Sequence, residues 1–493
     1  MHRRLPIFYN ALLLTGVNLL LRLVSTGFQV YLSGQIGAGG IGLLQLVLSV
    51  GGLAMVAGMA GVRTGTMYLT AEELGKKRPE NVIWILSGCT VYSFSFSIGV
   101  CLILYLLAPW LAQYWIGTPE VVGALRLYAA FVPVYCLCGM MTGYFTAANR
   151  ISALAVVEVF EQLLSMSVTV GLLLGWSGGD PARSCCCVIL GSGCAALFTL
   201  AGLVALRLRE KQKIGKRIPV GKRLLDAALP LAAADDVKAG INTAENLMVP
   251  KRLSLYAGTT DPLASFGIIC GMVFPVMMFP AAILYGLAEL LIPELARCNA
   301  GGSRRRIRYL TGKSLRLAML YGLAIGGGLV LLAKPLCMSI YKSQEAGRWL
   351  QLYGLMVPML YCDVITDAMT KGLGQQKACV RYNILTSAMD VAFLFVMLPR
   401  FGMAGYYISF LVTHLINFIL SLRRLLKTAG TRISLWVPIP ATVATVLAVG
   451  LAWTADGFWR AVVYLPSLIA ILSLFRVVSL QDLRWLRSLL KKK

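Results

Sequence analysis

The stretch Pro230–Pro250 reads PLAAADDVKAGINTAENLMVP. Its length suits a membrane-spanning helix, because about 20 residues cross the hydrocarbon core. Asp235, Lys238, Asn242 and Glu245 recur at intervals of three or four residues, which places them on one face of a helix. A charge that faces lipid costs about 2.5–3.5 kcal/mol, whereas a charge that faces water or a partner is tolerated. The stretch therefore predicts a membrane helix with one face turned away from lipid.

The rest of the chain has the composition of a membrane protein. Of 493 residues, 58% are hydrophobic and 14% are charged, against about 25% charged in soluble proteins. We predict an all-α polytopic, multi-pass membrane protein with about fourteen transmembrane helices. The apolar segments are centred near residues 19, 55, 95, 134, 164, 195, 236, 276, 320, 359, 389, 412, 442 and 468.

The net charge of +25 reflects membrane topology. Most of the 46 Lys and Arg residues lie in alternate loops between the apolar segments, as the positive-inside rule requires. This pattern predicts that both termini are cytoplasmic. It favours contact with anionic membrane lipids and gives no reason to expect a nucleic-acid partner.

A basic stretch separates six predicted helices from eight. Short similarities recur on its two sides, such as LTAEELGKKR at 69–78 and LIPELARCNAGGSRRR at 291–306. Parallel repeats of this kind are common in transporters. We predict an N-terminal lobe, a cytoplasmic linker, a C-terminal lobe, and two extra helices with a basic tail, at residues 1–206, 207–223, 224–428 and 429–493 respectively.

Motifs of enzyme chemistry are not found in the sequence. TGKS at 311–314 resembles the end of a phosphate-binding loop, but Ile307 stands where that loop needs its first glycine. We therefore expect no enzymatic activity and no cofactor. Transport would draw on an ion gradient, and sodium or proton coupling is possible.

A second polar stripe lies on the first predicted helix, and a further cation lies on the second. Asn18, Arg22, Ser25 and Gln29 share one helical face, and Arg63 lies between Gly61 and Gly65. We predict that these residues and the stripe from Asp235 to Glu245 line a water-filled cavity between the lobes. Its cations, Arg22, Arg63 and Lys238, would bind a phosphate group. The alternative is internal salt bridging with Asp235 or Glu245. Other acidic residues within the predicted helices are weaker indications of a transport role: Glu158, Glu161, Glu289, Asp363 and Asp367.

Several stretches resemble the polysaccharide-exporter branch of the MOP flippase superfamily, including its sporulation-protein members. ENLMVPKRL at 245–253, LIPELA at 291–296 and the long stretch 372–409 resemble its C-terminal half, and 60–82 and 156–168 resemble its N-terminal half. The resemblance implies two six-helix lobes in a V-shaped, MATE-like arrangement. It also implies a location in the bacterial cell membrane and flipping of an undecaprenyl-linked saccharide from its inner to its outer leaflet, beside enzymes of envelope biosynthesis.

The same resemblance implies a sodium ion among the seventh, eleventh and twelfth helices. Oxygen ligands suit such a hard cation, and the residues available are Asp236, Asn383, Asp390 and Thr413. Two departures from the family pattern bear on the substrate. Arg63 stands where the resemblance leads us to expect a proline or a small residue, and Ser165 and Met166 stand where relatives often carry an arginine. Two other functions remain open, a MATE-like cation-coupled exporter of small amphipathic molecules and a non-transporting scaffold for envelope assembly.

Overall fold

The computed structural model describes residues 5–209, 220–431 and 437–477, and these residues form helices without a strand. Most of the predicted linker and most of the basic tail lie outside the described residues. The helices are α1 Leu5–Met59, α2 Val62–Gly75, α3 Val82–Trp110, α4 Val122–Ala147, α5 Ile151–Trp176, α6 Pro181–Leu208, α7 Gly221–Leu253, α8 Pro262–Gly267, α9 Phe274–Met278, α10 Ala282–Ala300, α11 Arg304–Tyr341, α12 Gln344–Gly354, α13 Val357–Gly372, α14 Gln376–Ala429, α15 Pro438–Ala452 and α16 Trp459–Leu474.

Two glycines break the longest helices. Gly37 in α1 has φ 69° and ψ 177°, and Gly402 in α14 has φ 57° and ψ −140°. Glycine adopts such backbone angles readily because it has no Cβ. At Gly402 a Cβ would also lie 2.7 Å from the ring of Tyr256. Each long helix is therefore two helical segments joined at a tight turn.

The described residues contain enough apolar helix for a multi-pass membrane protein. Seven helical stretches are long and apolar enough to cross a membrane, and two bent pairs, with bends of 63° and 57°, would make nine. The helices α15 and α16 are shorter but apolar. Divided at the two glycine breaks, and with α7 included, these elements lie at the positions of the predicted apolar segments. The helix α7 is not among the apolar spans because of its polar residues.

The first compact unit comprises Met1–Gly271 and Ser387–Tyr406. It contains α1 to α8 and part of α14. In its core, Val62 and Leu69 of α2 pack with Ile85 of α3, Tyr144 of α4 and Leu224 of α7. The helix α7 therefore packs with α2 and α3, so the compact units have different boundaries from the lobes predicted from sequence.

The second unit comprises Met272–Thr386 and Tyr407–Lys493. Within it the Tyr361 hydroxyl donates to the Met277 carbonyl oxygen at 2.8 Å. The two extra helices pack on α11, where the Tyr464 hydroxyl of α16 donates to the Ala324 carbonyl oxygen at 2.9 Å. Small residues of α15, such as Ala441 and Ala444, complete this apolar contact. The extra helices are thus an integral part of the second unit.

Candidate functional site

The polar residues of α7 lie mostly on its accessible surface. Asp235, Lys238 and Asn242 are exposed, and Glu245 is half-buried. Among the described residues, no ion pair joins Lys238 to Asp235 or Glu245. The salt-bridge alternative therefore has no contact to support it at Lys238. Because α7 belongs to the first unit, this cation lies in the same unit as α1 and α2.

The stripe on α1 meets α5. The Gln162 amide nitrogen donates to the Ser25 hydroxyl oxygen at 3.1 Å, which joins the two helices near the half-buried Arg22. Farther along the helix, the Gln29 amide lies 3.5 Å from the Gly271 carbonyl oxygen. The side chain of Asn18 lies outside the described part of the structure. The α1 stripe thus has a polar partner on α5.

Arg63 is held at a close approach of α2 to α4. A Cβ on Gly143 would lie 2.3 Å from the Arg63 carbonyl oxygen, so only glycine permits this approach. The Arg63 side chain is exposed and forms no ion pair in the described structure. It lies within electrostatic range of the Glu158 carboxylate of α5. The cation is therefore near an acid but is not neutralised by direct contact.

The helix α5 contributes two polar side chains that are not among the predicted cavity residues. Glu158 and Gln162 are four residues apart on one helical face and approach Arg63 and Ser25 respectively. Glu161 is instead bound by the Thr199 hydroxyl of α6 at 2.9 Å, which is a structural contact. The spacing of 158 and 162 was the signal available in the sequence. It did not show which helix this face would meet.

Two carboxyl groups meet inside the first unit. Glu245 of α7 is hydrogen-bonded to Asp390 of α14, and Asp390 is only 5% exposed. Cys270 and the buried Tyr406 complete the surroundings. Two carboxyl groups can share a hydrogen bond only when one of them carries a proton. The pair is therefore a candidate proton-binding site.

Two of the predicted sodium ligands, Asp236 and Asp390, belong to the first unit. Asp390 has Glu245 as its partner, and Asp236 lies near Tyr92 of α3. Asn383 and Thr413 belong to the second unit, so the four-residue site stays a prediction. Within the described ranges, no group of three or more His, Cys, Asp or Glu side chains could hold a metal ion.

Comparison with known proteins agrees with this architecture. A family described as "Polysaccharide biosynthesis protein" matches residues 7–226. Stage V sporulation protein B of Bacillus subtilis (strain 168) is 20% identical over 412 residues, which is 80% of this chain and 79% of that protein. The probable lipid II flippase MurJ of Rhizobium meliloti (strain 1021) is 24% identical over 351 residues, 65% of this chain and 61% of that protein, less than two thirds of its length.

A solved structure of the lipid II flippase MurJ in an inward closed conformation has the same fold. It matches with a TM-score of 0.71 and 12% identity over 96% of this chain and 99% of that one. The chain has the fold of the MOP superfamily, to which a matching MATE-family multidrug transporter also belongs. This shared fold confirms the predicted all-helical, multi-pass membrane architecture. Similarity at this level establishes the fold alone. It assigns no role to Arg22, Arg63 or the α7 stripe.

Proposed function

We propose that this protein is a flippase of the MOP superfamily that moves an undecaprenyl-linked saccharide from the inner to the outer leaflet by alternating access. The match to the polysaccharide-biosynthesis family and the similarity to a sporulation protein and a lipid II flippase support this substrate class. The distribution of Lys and Arg among the loops supports an orientation with both termini in the cytoplasm.

One observation carries the proposal: Arg63 and Lys238 are exposed cations on helices of the membrane domain, and neither forms an ion pair among the described residues. A charge on such a helix is too costly to leave against lipid. These side chains therefore face water or an anionic ligand.

The chemistry of the cations suits a pyrophosphate. The guanidinium of Arg63 presents a planar fork that binds two phosphate oxygens, and the Lys238 ammonium adds a compact positive charge. Exposed Asp235 and Asn242 offer polar groups to sugar hydroxyls along the same α7 surface. A lipid-linked saccharide carries both kinds of group. In this proposal Arg22, Ser25 and Gln29 extend the polar surface along α1.

The Glu245–Asp390 pair provides a means of coupling transport to a proton gradient. In this proposal one proton is shared between the two carboxyl groups, which lie next to each other. If movement of α7 separates the two carboxyl groups, the protonated one can ionise without a second negative charge beside it. The proton is then released. This role replaces the four-residue sodium site as our preferred coupling element.

The charge of the site argues against the principal alternative. A MATE-like exporter of cationic amphipathic molecules needs an acidic surface, whereas Arg22, Arg63 and Lys238 are cations. A non-transporting scaffold gives no reason for exposed cations on helices of the membrane domain, since each is costly there. We therefore prefer the flippase.

Flipping assays in proteoliposomes test the proposal. We expect Arg63→Ala and Lys238→Ala each to slow flipping of a lipid-linked saccharide by roughly tenfold or more, because a charged hydrogen bond is worth about 1.5–3 kcal/mol. Arg63→Lys should also slow flipping, since it removes the planar fork.

Arg126→Ala is the matched control. Arg126 is also an exposed helical arginine, but it lies over the ring of Tyr105 at 4.8 Å and outside the polar stripes. Its loss should leave the flipping rate near that of the unmodified protein. Equal rates in Arg63→Ala, Lys238→Ala and the unmodified protein would refute the proposed substrate contact.

A further inference from the structure

The C-terminal end of α7 contacts two other helices of the first unit. Lys251 and Arg252 are neighbours in the last turn of α7. The Lys251 ammonium donates to the Tyr114 carbonyl oxygen, beyond the end of α3, at 3.1 Å. The Arg252 guanidinium lies over the ring of Phe395 of α14, 3.2 Å from the ring centre. Two adjacent cations therefore join α7 to two different helices.

The contact with Tyr114 is made at the end of a helix. The helix α3 continues into a π-helical turn, Leu111–Ile116, which ends at Gly117 with φ 82°. The last carbonyl groups of a helix have no partner within it, and they form the negative end of the helix dipole. The Trp115 ring also lies 5.8 Å from the Lys251 ammonium, close enough for a cation–π interaction. This helix end is therefore a favourable place for the lysine ammonium.

The polar contacts at the two ends of α7 differ in their exposure. At the C-terminal end, Lys251, Tyr114 and Phe395 are exposed. At the N-terminal end, the Arg223 guanidinium lies 3.1 Å from the buried Glu73 carboxylate. Exposed charged contacts contribute little to stability, whereas a buried charge is costly to leave without its partner. The contacts at the C-terminal end are therefore the ones that a conformational change can break at low cost.

The orientation in the proposed function places this C-terminal end at the outer side of the membrane. We propose that Lys251 and Arg252 form an outer clamp, which holds α7 between α3 and α14 and must release before the protein opens to the outer side. The movement would be a pivot of α7 about its end at Arg223.

The outer clamp acts on the same helices as the candidate coupling element. Glu245 lies on α7 and Asp390 on α14, so a pivot of α7 away from α14 would separate these two carboxyl groups as well. The inference rests on the alternating access of the proposed function. It does not depend on which substrate is moved, because no clamp contact involves the residues proposed to bind substrate.

Distance measurements between two spin labels test the outer clamp. The labels are placed on cysteines at Glu120 and Leu255, exposed residues that follow the π-helical turn and α7 respectively, in a Cys-depleted background. Pulsed electron resonance is recorded on the full-length protein in lipid nanodiscs without substrate. We expect one main, short distance in the protein with an intact clamp.

Loss of the clamp should add a longer distance. Lys251→Ala and Arg252→Ala should each raise the ratio of separated to joined molecules by roughly threefold to fivefold, the effect of losing one exposed charged contact. The double variant should show the largest change. Lys251→Arg should keep the short distance, because its guanidinium can still donate to the carbonyl oxygen of Tyr114.

Arg183→Ala is the matched control. Arg183 is an exposed cation of the first unit that pairs with Asp180 at 3.6 Å, away from the clamp, and its loss should leave the distances unchanged. A double clamp variant with the distances of the unmodified protein, or an equal shift in Arg183→Ala, overturns the inference. Absence of flipping by the unmodified protein would count against the proposed function, whereas the distances report on the clamp without any substrate.

Discussion

The helix pair α2 and α7 carries two contrasting sets of charges. At one end, the Arg223 guanidinium lies 2.9 Å from Glu72 Oε2 and 3.1 Å from Glu73 Oε1. Glu73, 3% exposed, also accepts from the Asn81 amide at 2.9 Å. Farther along the two helices, Arg63 and Lys238 are exposed and form no ion pair among the described residues. The same two helices thus contain neutralised and unneutralised charges.

The two sets of charged residues have different roles, one in stability and one in transport. Around Arg223 the groups satisfy one another and join α7 to the turn between α2 and α3, so their loss should lower stability. Around Arg63 and Lys238 the cations are left accessible, so their loss should change transport and leave stability nearly intact. This distinction would fail if both sets affected stability equally.

The largest effect on stability should come from the Arg223 end. We expect Glu73→Ala to lower the free energy of unfolding by about 2–3 kcal/mol, because it removes charged hydrogen bonds and leaves the Asn81 amide without its acceptor. Lys76→Ala is the control. Lys76 forms an exposed pair with Glu72 at 2.5 Å, and such pairs contribute about 0–1 kcal/mol. Detergent-solubilised unfolding curves measure both, and equal losses would contradict the distinction.

A smaller effect on stability is expected at the carboxyl pair. Glu245→Gln keeps the size of the side chain, and its amide can donate to Asp390, so the free energy of unfolding should change by less than about 1.5 kcal/mol. The response of flipping to an imposed pH gradient should nevertheless disappear, because the amide does not exchange a proton. Retention of that response in Glu245→Gln would exclude the pair as the coupling element.

The sequence predicted individual helix faces better than it predicted their partners. The spacing from Asp235 to Glu245 placed these residues on one face, and the structure leaves three of them exposed. It did not pair Glu245 with Asp390, because 3.6-residue periodicity orients side chains on one helix only. Residues 145 positions apart are brought together by tertiary packing.

The predicted lobes and the compact units rest on different features of the chain. Short repeats at 69–78 and 291–306 predicted a division at the basic linker. The packing of Leu224 with Val62 and Tyr144 instead groups α7 with the first helices. That contact depends on the shapes of apolar side chains, which the polar spacing does not report.

The claim that Arg63 binds substrate is tested most directly by the double variant Arg63→Met with Glu158→Gln. Its flipping rate and melting temperature are measured beside those of both single variants. Arg63 lies within electrostatic range of Glu158. If Arg63 binds substrate, the double variant should have a melting temperature near that of the unmodified protein and should flip roughly tenfold more slowly or worse. If Arg63 only neutralises Glu158, the Arg63→Met variant should be unstable, and the double variant should recover both stability and flipping. Recovery of flipping to the rate of the unmodified protein would show that Arg63 does not bind the substrate.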